Sequence, residues 1–172
     1  MKKLIYFLVP VFLTGVAVTP TYAEQAPAIA VIDSGTNPAL FGDKIVAEAC
    51  FVESYTCANG KTTMEGVGAS ALPAFKDKAL DHGTQMMSII AKVNPSAKLL
   101  PIRIVGVNPS GNAGLYTLES VKMALDWVVA NQAKYNIAVV NISQGRVFAN
   151  CKVPAGMVEQ VAKLKACLLY TS

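Results

Sequence analysis

Residues 26–38 read APAIAVIDSGTNP, and the reading of the fold starts from them. Residues 29–32 are apolar without a break, and Asp33, Ser34 and Gly35 then supply turn chemistry. A continuous apolar run of this kind fits a strand covered on both faces, hence a parallel sheet between layers of helix. Two later stretches look the same: AKLLPIRIV at residues 97–105 and IAVVNIS at residues 137–143. KIVAEACFV, residues 44–52, reads as a further short strand. Helical periodicity fills the gaps. One helix is expected from Asp81, which can act as its N-cap, with Met86, Met87, Ile89, Ile90 and Val93 forming a broad apolar face. A second spans residues 115–135, with Leu118, Val121, Leu125 and Val128 on one stripe. Strand alternating with helix implies an α/β fold, a doubly wound, mostly parallel sheet with helices on both faces. In such sheets, polar residues at the carboxyl ends of strands mark the site. Asp33, and Asn141 with Ser143, occupy such ends.

The 172 residues suit one domain with a real core and are too few for two comfortable ones. The high apolar fraction, 53%, owes much to the first segment, MKKLIYFLVPVFLTGVAVTPTYA. Lys2 and Lys3, a short apolar run and the Thr21-Tyr22-Ala23 end describe a secretory signal peptide over residues 1–23. The run is shorter than the roughly 20 apolar residues a spanning helix needs, and Pro10 and Pro20 interrupt it, so no membrane anchor is expected. Setting Lys2 and Lys3 aside leaves 13 basic residues against 11 acidic, a net charge of about +2. That balance, with no basic run or basic-aromatic stripe, gives no argument for nucleic acid or an acidic membrane surface. Export to a secreted or periplasmic location permits disulfides, and Cys50 and Cys57, enclosing six residues, are expected to bridge locally. No CxxC pair suggests zinc, and the acidic residues are too scattered to assign a calcium site. No cofactor is expected; a structural calcium is compatible with the sequence but not readable from it.

Residues 53–80 have no clear period and read as a long loop, which inside a compact domain is usually functional or covalently tied. Residues 158–166 read as a helix, with Val158, Val161, Ala162 and Lys165 spaced three and four apart. CLLYTS then comes abruptly, so residues 167–172 are expected to be a non-native tail and residues 24–166 a partial domain. On that reading Cys167 is not native, and Cys151 has no assignable partner.

The only histidine, His82, opens the helix in DHGTQMMSIIA, residues 81–91. A buried carboxylate bonded to one imidazole nitrogen fixes the tautomer and stabilises the imidazolium, leaving the other nitrogen free to take a proton from a serine hydroxyl. Gly83 would let the helix start come close, and Thr84 can hydrogen-bond back into the turn. The plainer alternatives are a solvated helix-start histidine and an aspartate that only forms a turn.

VIDSG at residues 31–35, DHGTQMMSIIA and AVVNISQG at residues 138–145 together resemble the subtilisin-like serine peptidases. Each motif alone is weak; all three in order, over residues 28–162, are a much stronger signal. The resemblance implies that Asp33 orients, that His82 is the general base, and that Ser143, Gln144 and Gly145 pair with an extended polypeptide substrate. It places Gly114 on the opposite edge of the cleft. It implies a serine endopeptidase, a monomer, secreted, acting on polypeptides. The Cys- and Gly-rich stretch at residues 49–70 is also similar to an insertion in some bacterial members. The chain departs from the pattern in three ways. The family's Gly-Thr-Ser nucleophile motif and oxyanion asparagine do not occur in these residues, Gln85 stands where His or Arg is usual, and Met87 and Ser88 replace small residues. A chain without the serine should not hydrolyse peptides. The other class compatible with the sequence is a secreted, non-catalytic pseudopeptidase or protein-binding domain on the same scaffold. A nucleotide-binding α/β domain is disfavoured because no glycine-rich phosphate loop comes after the first strand.

Overall fold

The computed structural model describes residues 26–72, 81–108, 110, 112, 114, 116–145 and 155–167. The expected signal peptide, Cys151 and the last five residues lie outside them. The architecture is α/β, with a five-stranded mixed sheet and helices. The strands are β1 (Ala28–Asp33), β2 (Ala49–Phe51), β3 (Thr63–Glu65), β4 (Lys98–Arg103) and β5 (Ile137–Ile142). They lie in the order β3-β2-β4-β1-β5, all neighbours parallel except β2 with β3. The helices are α1 (His82–Val93), α2 (Leu118–Tyr135) and α3 (Ala155–Cys167).

β1 is the centre, and its alternation sorts the core into two layers. Ala28, Ala30 and Ile32 join Leu100, Ile102 and the α2 residues Val121, Leu125 and Val128 in one cluster. Val31 joins Leu99 and Met87 of α1 in the other. Successive side chains of a strand point to opposite faces, so α1 and α2 cover opposite faces of the sheet. Thr117 caps α2 by accepting the Ser120 amide at 3.0 Å, and Asn136 ends it in the left-handed region at φ 50°.

Several expectations are corrected. The stretch 44–52 is not one strand: Ile45 makes an isolated bridge to Leu99, and β2 begins only at Ala49. Pro101 explains the break. The Val46 amide donates to the Leu99 carbonyl at 3.0 Å, so odd-numbered positions of β4 turn their polar groups toward β2. Pro101 has no N–H to offer there, and the ladder resumes only where Ala49 and Cys50 meet Ile102 and Arg103. Within the expected loop, β3 pairs antiparallel with β2, Cys50 opposite Met64. The apolar face of α1 is narrower than its sequence suggests: Met87 is fully buried, but Ile89 and Val93 are 56% and 81% exposed. Asp81 stands at the N-cap position of α1, yet its side chain makes no capping bond, and its Oδ1 is buried with no partner among the described residues. On α3 the buried positions are Gln160 and Leu164, while Val158 and Val161 face outward. The helix packs mainly on α2, and a run of valines near a broken pattern does not say which side meets it.

Candidate active site

Asp33 is the last residue of β1, and the strand delivers it buried: its side chain is 2% exposed. A carboxylate so placed needs donors, because an ionised group without them is costly to bury. Three reach it. The Ser34 amide donates to Oδ1 at 2.6 Å, His82 Nδ1 lies 2.9 Å from both oxygens, and Gln144 Nε2 lies 3.1 Å from Oδ1. Gln144 Nε2 is also 3.3 Å from His82 Nδ1.

His82 is set by the approach of α1 to the end of β1. The Gly83 amide donates to Ser34 Oγ at 3.1 Å, and Thr84 Oγ1 accepts the Asn37 amide at 3.0 Å. A Cβ on Gly83 would fall 2.1 Å from the Gly35 carbonyl oxygen, so only glycine lets the helix start sit this close. Gly35 itself has φ +113°, a region glycine occupies readily, and a Cβ there would meet the Ser70 carbonyl at 2.8 Å. Met87 does not push the helix off the sheet; it fills the space against Val31 and Leu99. The His82 side chain is 37% exposed, and no described residue bonds its Nε2. One ring nitrogen is therefore engaged and the other is open, the arrangement that leaves a basic nitrogen to meet a second molecule or residue.

Behind this pair runs a supporting layer. The Thr36 amide donates to Ser70 O at 2.8 Å, and the Thr36 carbonyl accepts the Leu72 amide at 2.9 Å. Glu48, buried, holds that loop by accepting the Gly68 and Ser70 amides at 3.1 and 3.2 Å and the Ser70 hydroxyl at 2.6 Å. Arg103, level with Asp33 in the sheet, packs its aliphatic stem near Gly35 and donates to Thr56 O at 2.7 Å and Cys50 Sγ at 3.4 Å. Burial pushes its guanidinium below its ordinary value. Cys50 and Cys57 are joined in a disulfide, which closes the loop that Arg103 grips.

The other sequence-derived site residues fare differently. Ser143, Gln144 and Gly145 come after β5 rather than extending it. Ser143 is exposed and donates to Asn141 Oδ1 at 2.9 Å, and Gly145 is exposed. Gln144 was expected to act through its backbone, but it is the side chain that meets the pair. Gly114 packs under a ring: a Cβ on it would fall 2.2 Å from Tyr55 Cζ, and its amide donates to Gly106 O at 2.9 Å. Sequence reasoning missed Ser34, whose amide and hydroxyl brace both sides of the pair, and Glu48. The DSG motif carried the first signal, read only as a turn; nothing local marks the second. Among the described residues no group of His, Cys, Asp and Glu is arranged to hold a metal, and no helix is long and apolar enough to cross a membrane. No known protein-family model matches the chain.

Proposed function

We propose that Asp33 and His82 are the orienting carboxylate and general base of an exported, subtilisin-like serine endopeptidase, built on a doubly wound sheet. The observation that carries the reading is the Asp33–His82 contact at 2.9 Å, with the carboxylate buried and Nε2 of a part-exposed ring unengaged among the described residues. A histidine kept for packing would be buried or bonded at both nitrogens. In the proposed mechanism His82 Nε2 removes the serine proton as the hydroxyl attacks the scissile carbonyl, Asp33 stabilises the imidazolium, and the proton passes to the leaving amine. An extended polypeptide would lie against residues 143–145. The reading requires a serine from outside these 172 residues, since no Gly-Thr-Ser occurs in them.

Met87 and Ser88, standing where the family has small residues, are the observation that motivates a second reading, a secreted non-catalytic binding domain that keeps the pair. One experiment separates them. The gene is read beyond the codon for Ala166, and the protein it encodes is treated with a fluorophosphonate probe. Labelling of a single serine that disappears in His82→Ala supports the peptidase. Absence of labelling favours the binding domain, and labelling that survives His82→Ala defeats the assignment of the base.

A further inference from the structure

Arg103 lies in register with Cys50 on β2 and with Asp33 on β1, between the two. It is 2% exposed, and among the described residues no carboxylate comes within ion-pair distance of it. Its guanidinium turns to the disulfide loop instead: Nε donates to Cys50 Sγ at 3.4 Å and Nη2 to the Thr56 carbonyl at 2.7 Å. Asp33, at the end of β1, and Glu48, just before β2, already have their own donors. A buried cation resting on a neutral sulfur is an arrangement that reduction improves, because a thiolate in that place is the missing counter-ion. We propose that Cys50–Cys57 is an exchangeable disulfide rather than a fixed staple: a dithiol attacks Cys57 Sγ and expels Cys50 as a thiolate against Arg103.

The two sulfurs are not equivalent. Cys50 is fully buried in β2, between Met64 on β3 and Arg103 on β4. Cys57 is 4% exposed and opens onto the exposed residues 58–61, its amide donating to the Lys61 carbonyl at 2.7 Å. An incoming thiolate therefore meets Cys57 first. A bond forms from the reagent to Cys57 Sγ, the old S–S bond breaks, and its electron pair leaves on Cys50. The second thiol of the reagent loses its proton and attacks the reagent's own sulfur in the mixed disulfide. The dithiol ends oxidised by two electrons, and Cys57 is released to take up a proton. Burial by itself holds a thiol neutral and opposes this step. Here the cost of desolvating the cation is already present in the oxidised protein, where burial holds the Arg103 guanidinium below its ordinary value, and a thiolate relieves it. A stabilised thiolate also leaves faster. The loop has anchors besides its bridge: the Thr56 carbonyl on Arg103, the Val52 amide on the Thr62 carbonyl at 2.9 Å, and the Tyr55 ring against Gly106 and Gly114.

Cys50 and Cys57 fall in one tryptic peptide, after Lys44 and up to Lys61, separate from Cys151 and Cys167. Mass spectrometry after alkylation therefore reads their oxidation state alone. The 172-residue protein is equilibrated at neutral pH with graded ratios of reduced and oxidised dithiothreitol. The pair should reduce reversibly while circular dichroism still shows the folded protein. In Arg103→Met the equilibrium constant for reduction should fall about tenfold, which is about 30 mV for a two-electron couple. Arg103→Lys, which keeps the charge, should lose less. The Thr56 bond and the packing of the Arg103 stem near Gly35 are made in both oxidation states, so they cancel from the comparison. An unchanged equilibrium in folded Arg103→Met overturns the proposal, and so does a disulfide that opens only as the protein unfolds. A second readout needs no variant. In the reduced, unaltered protein at neutral pH, the carbon-13 shift of Cys50 Cβ should be that of a thiolate and the shift of Cys57 Cβ that of a thiol. A neutral Cys50 overturns the proposal as well.

Discussion

Gly83→Ala tests the geometry of the whole site with one methyl group. The ideal Cβ would lie 2.1 Å from the Gly35 carbonyl oxygen, 3.1 Å from its carbon and 3.2 Å from Asp33 Cβ. The first two are backbone atoms of a turn that the Ser70 carbonyl also hems in, so no side chain can rotate out of the way. Restoring an ordinary contact requires α1 to retreat from β1 by about 1 Å, since overpacked sites relieve themselves by backbone shifts costing about 1–3 kcal/mol. The retreat also stretches the 3.1 Å bond from the Gly83 amide to Ser34 Oγ, which costs about 1 kcal/mol more. Against this, alanine is the better helix former by at most about 1 kcal/mol. The penalty wins, and a net loss of about 1–3 kcal/mol is expected in urea unfolding. Gly156 provides the matched control. It too is the second residue of its helix, but among the described residues a Cβ there would meet nothing closer than Lys122 at 3.9 Å. Gly156→Ala should therefore be neutral or stabilising by up to about 1 kcal/mol. The His82 ring signals should move in Gly83→Ala and stay in Gly156→Ala. A Gly83→Ala protein as stable as the unaltered one would refute the close approach on which the Asp33–His82 contact depends.

Three further outcomes are expected. Met87→Ala should cost about 2–5 kcal/mol, and Ile89→Ala, on the exposed side of the same helix, less than about 1 kcal/mol; equal losses would mean that α1 presents a different face to the sheet. Glu48→Ala leaves the Gly68 and Ser70 donors facing no acceptor and should cost about 3 kcal/mol, read as a lowered urea midpoint; an unchanged midpoint would show that water replaces the carboxylate without penalty. The Lys163 hydrogen bond and charge hold the Glu159 carboxyl below its ordinary value. A carboxyl lowered on folding contributes stability that is complete above the ordinary carboxylate range and is lost as pH falls through the lowered value. The small difference in thermal midpoint between the unaltered protein and Glu159→Gln should therefore vanish in acid and in high salt, and a difference that grew toward low pH would contradict the pairing.

How much of the fold is legible in the sequence depends on which signals are local. β1, β4 and β5 announce themselves because a strand buried on both faces must be apolar throughout, and the residue that ends such a run in Asp-Ser-Gly is visible at once. His82 and Gly83 are legible only in company, since the histidine motif alone is weak and gains its meaning from the Asp-Ser-Gly strand end before it and the strand at residues 138–145 after it. β3 was hidden: Thr63, Met64 and Glu65 form a half-exposed edge strand among turn residues, and its pairing with β2 is a fact about residues 12–16 positions apart rather than about its own composition. The break in the stretch 44–52 was hidden for the same reason, since its cause is Pro101, on another strand. The packed side of α3 depends on α2, and its own valines point away from it.

Gln144 shows where this limit bears on chemistry. The resemblance to the peptidase family implied a role for it through its backbone, pairing with an extended chain. Its side chain, however, is long enough to cross from β5 to the end of β1, its neighbour in the sheet, and Asp33 offers a buried oxygen with room for a second donor. No pattern within residues 143–145 encodes that contact. It exists because β1 and β5 run parallel and in register, Ile32 beside Ile142, so that both segments leave their strands on the same edge of the sheet. The same alignment sets Arg103 level with Asp33 on the other side. The carboxyl edge of the sheet therefore gathers a buried carboxylate, its histidine and a carboxamide from three separate segments. A substitution at Gln144 should then be felt at His82, 62 positions away in the chain, before it is felt anywhere else along β5.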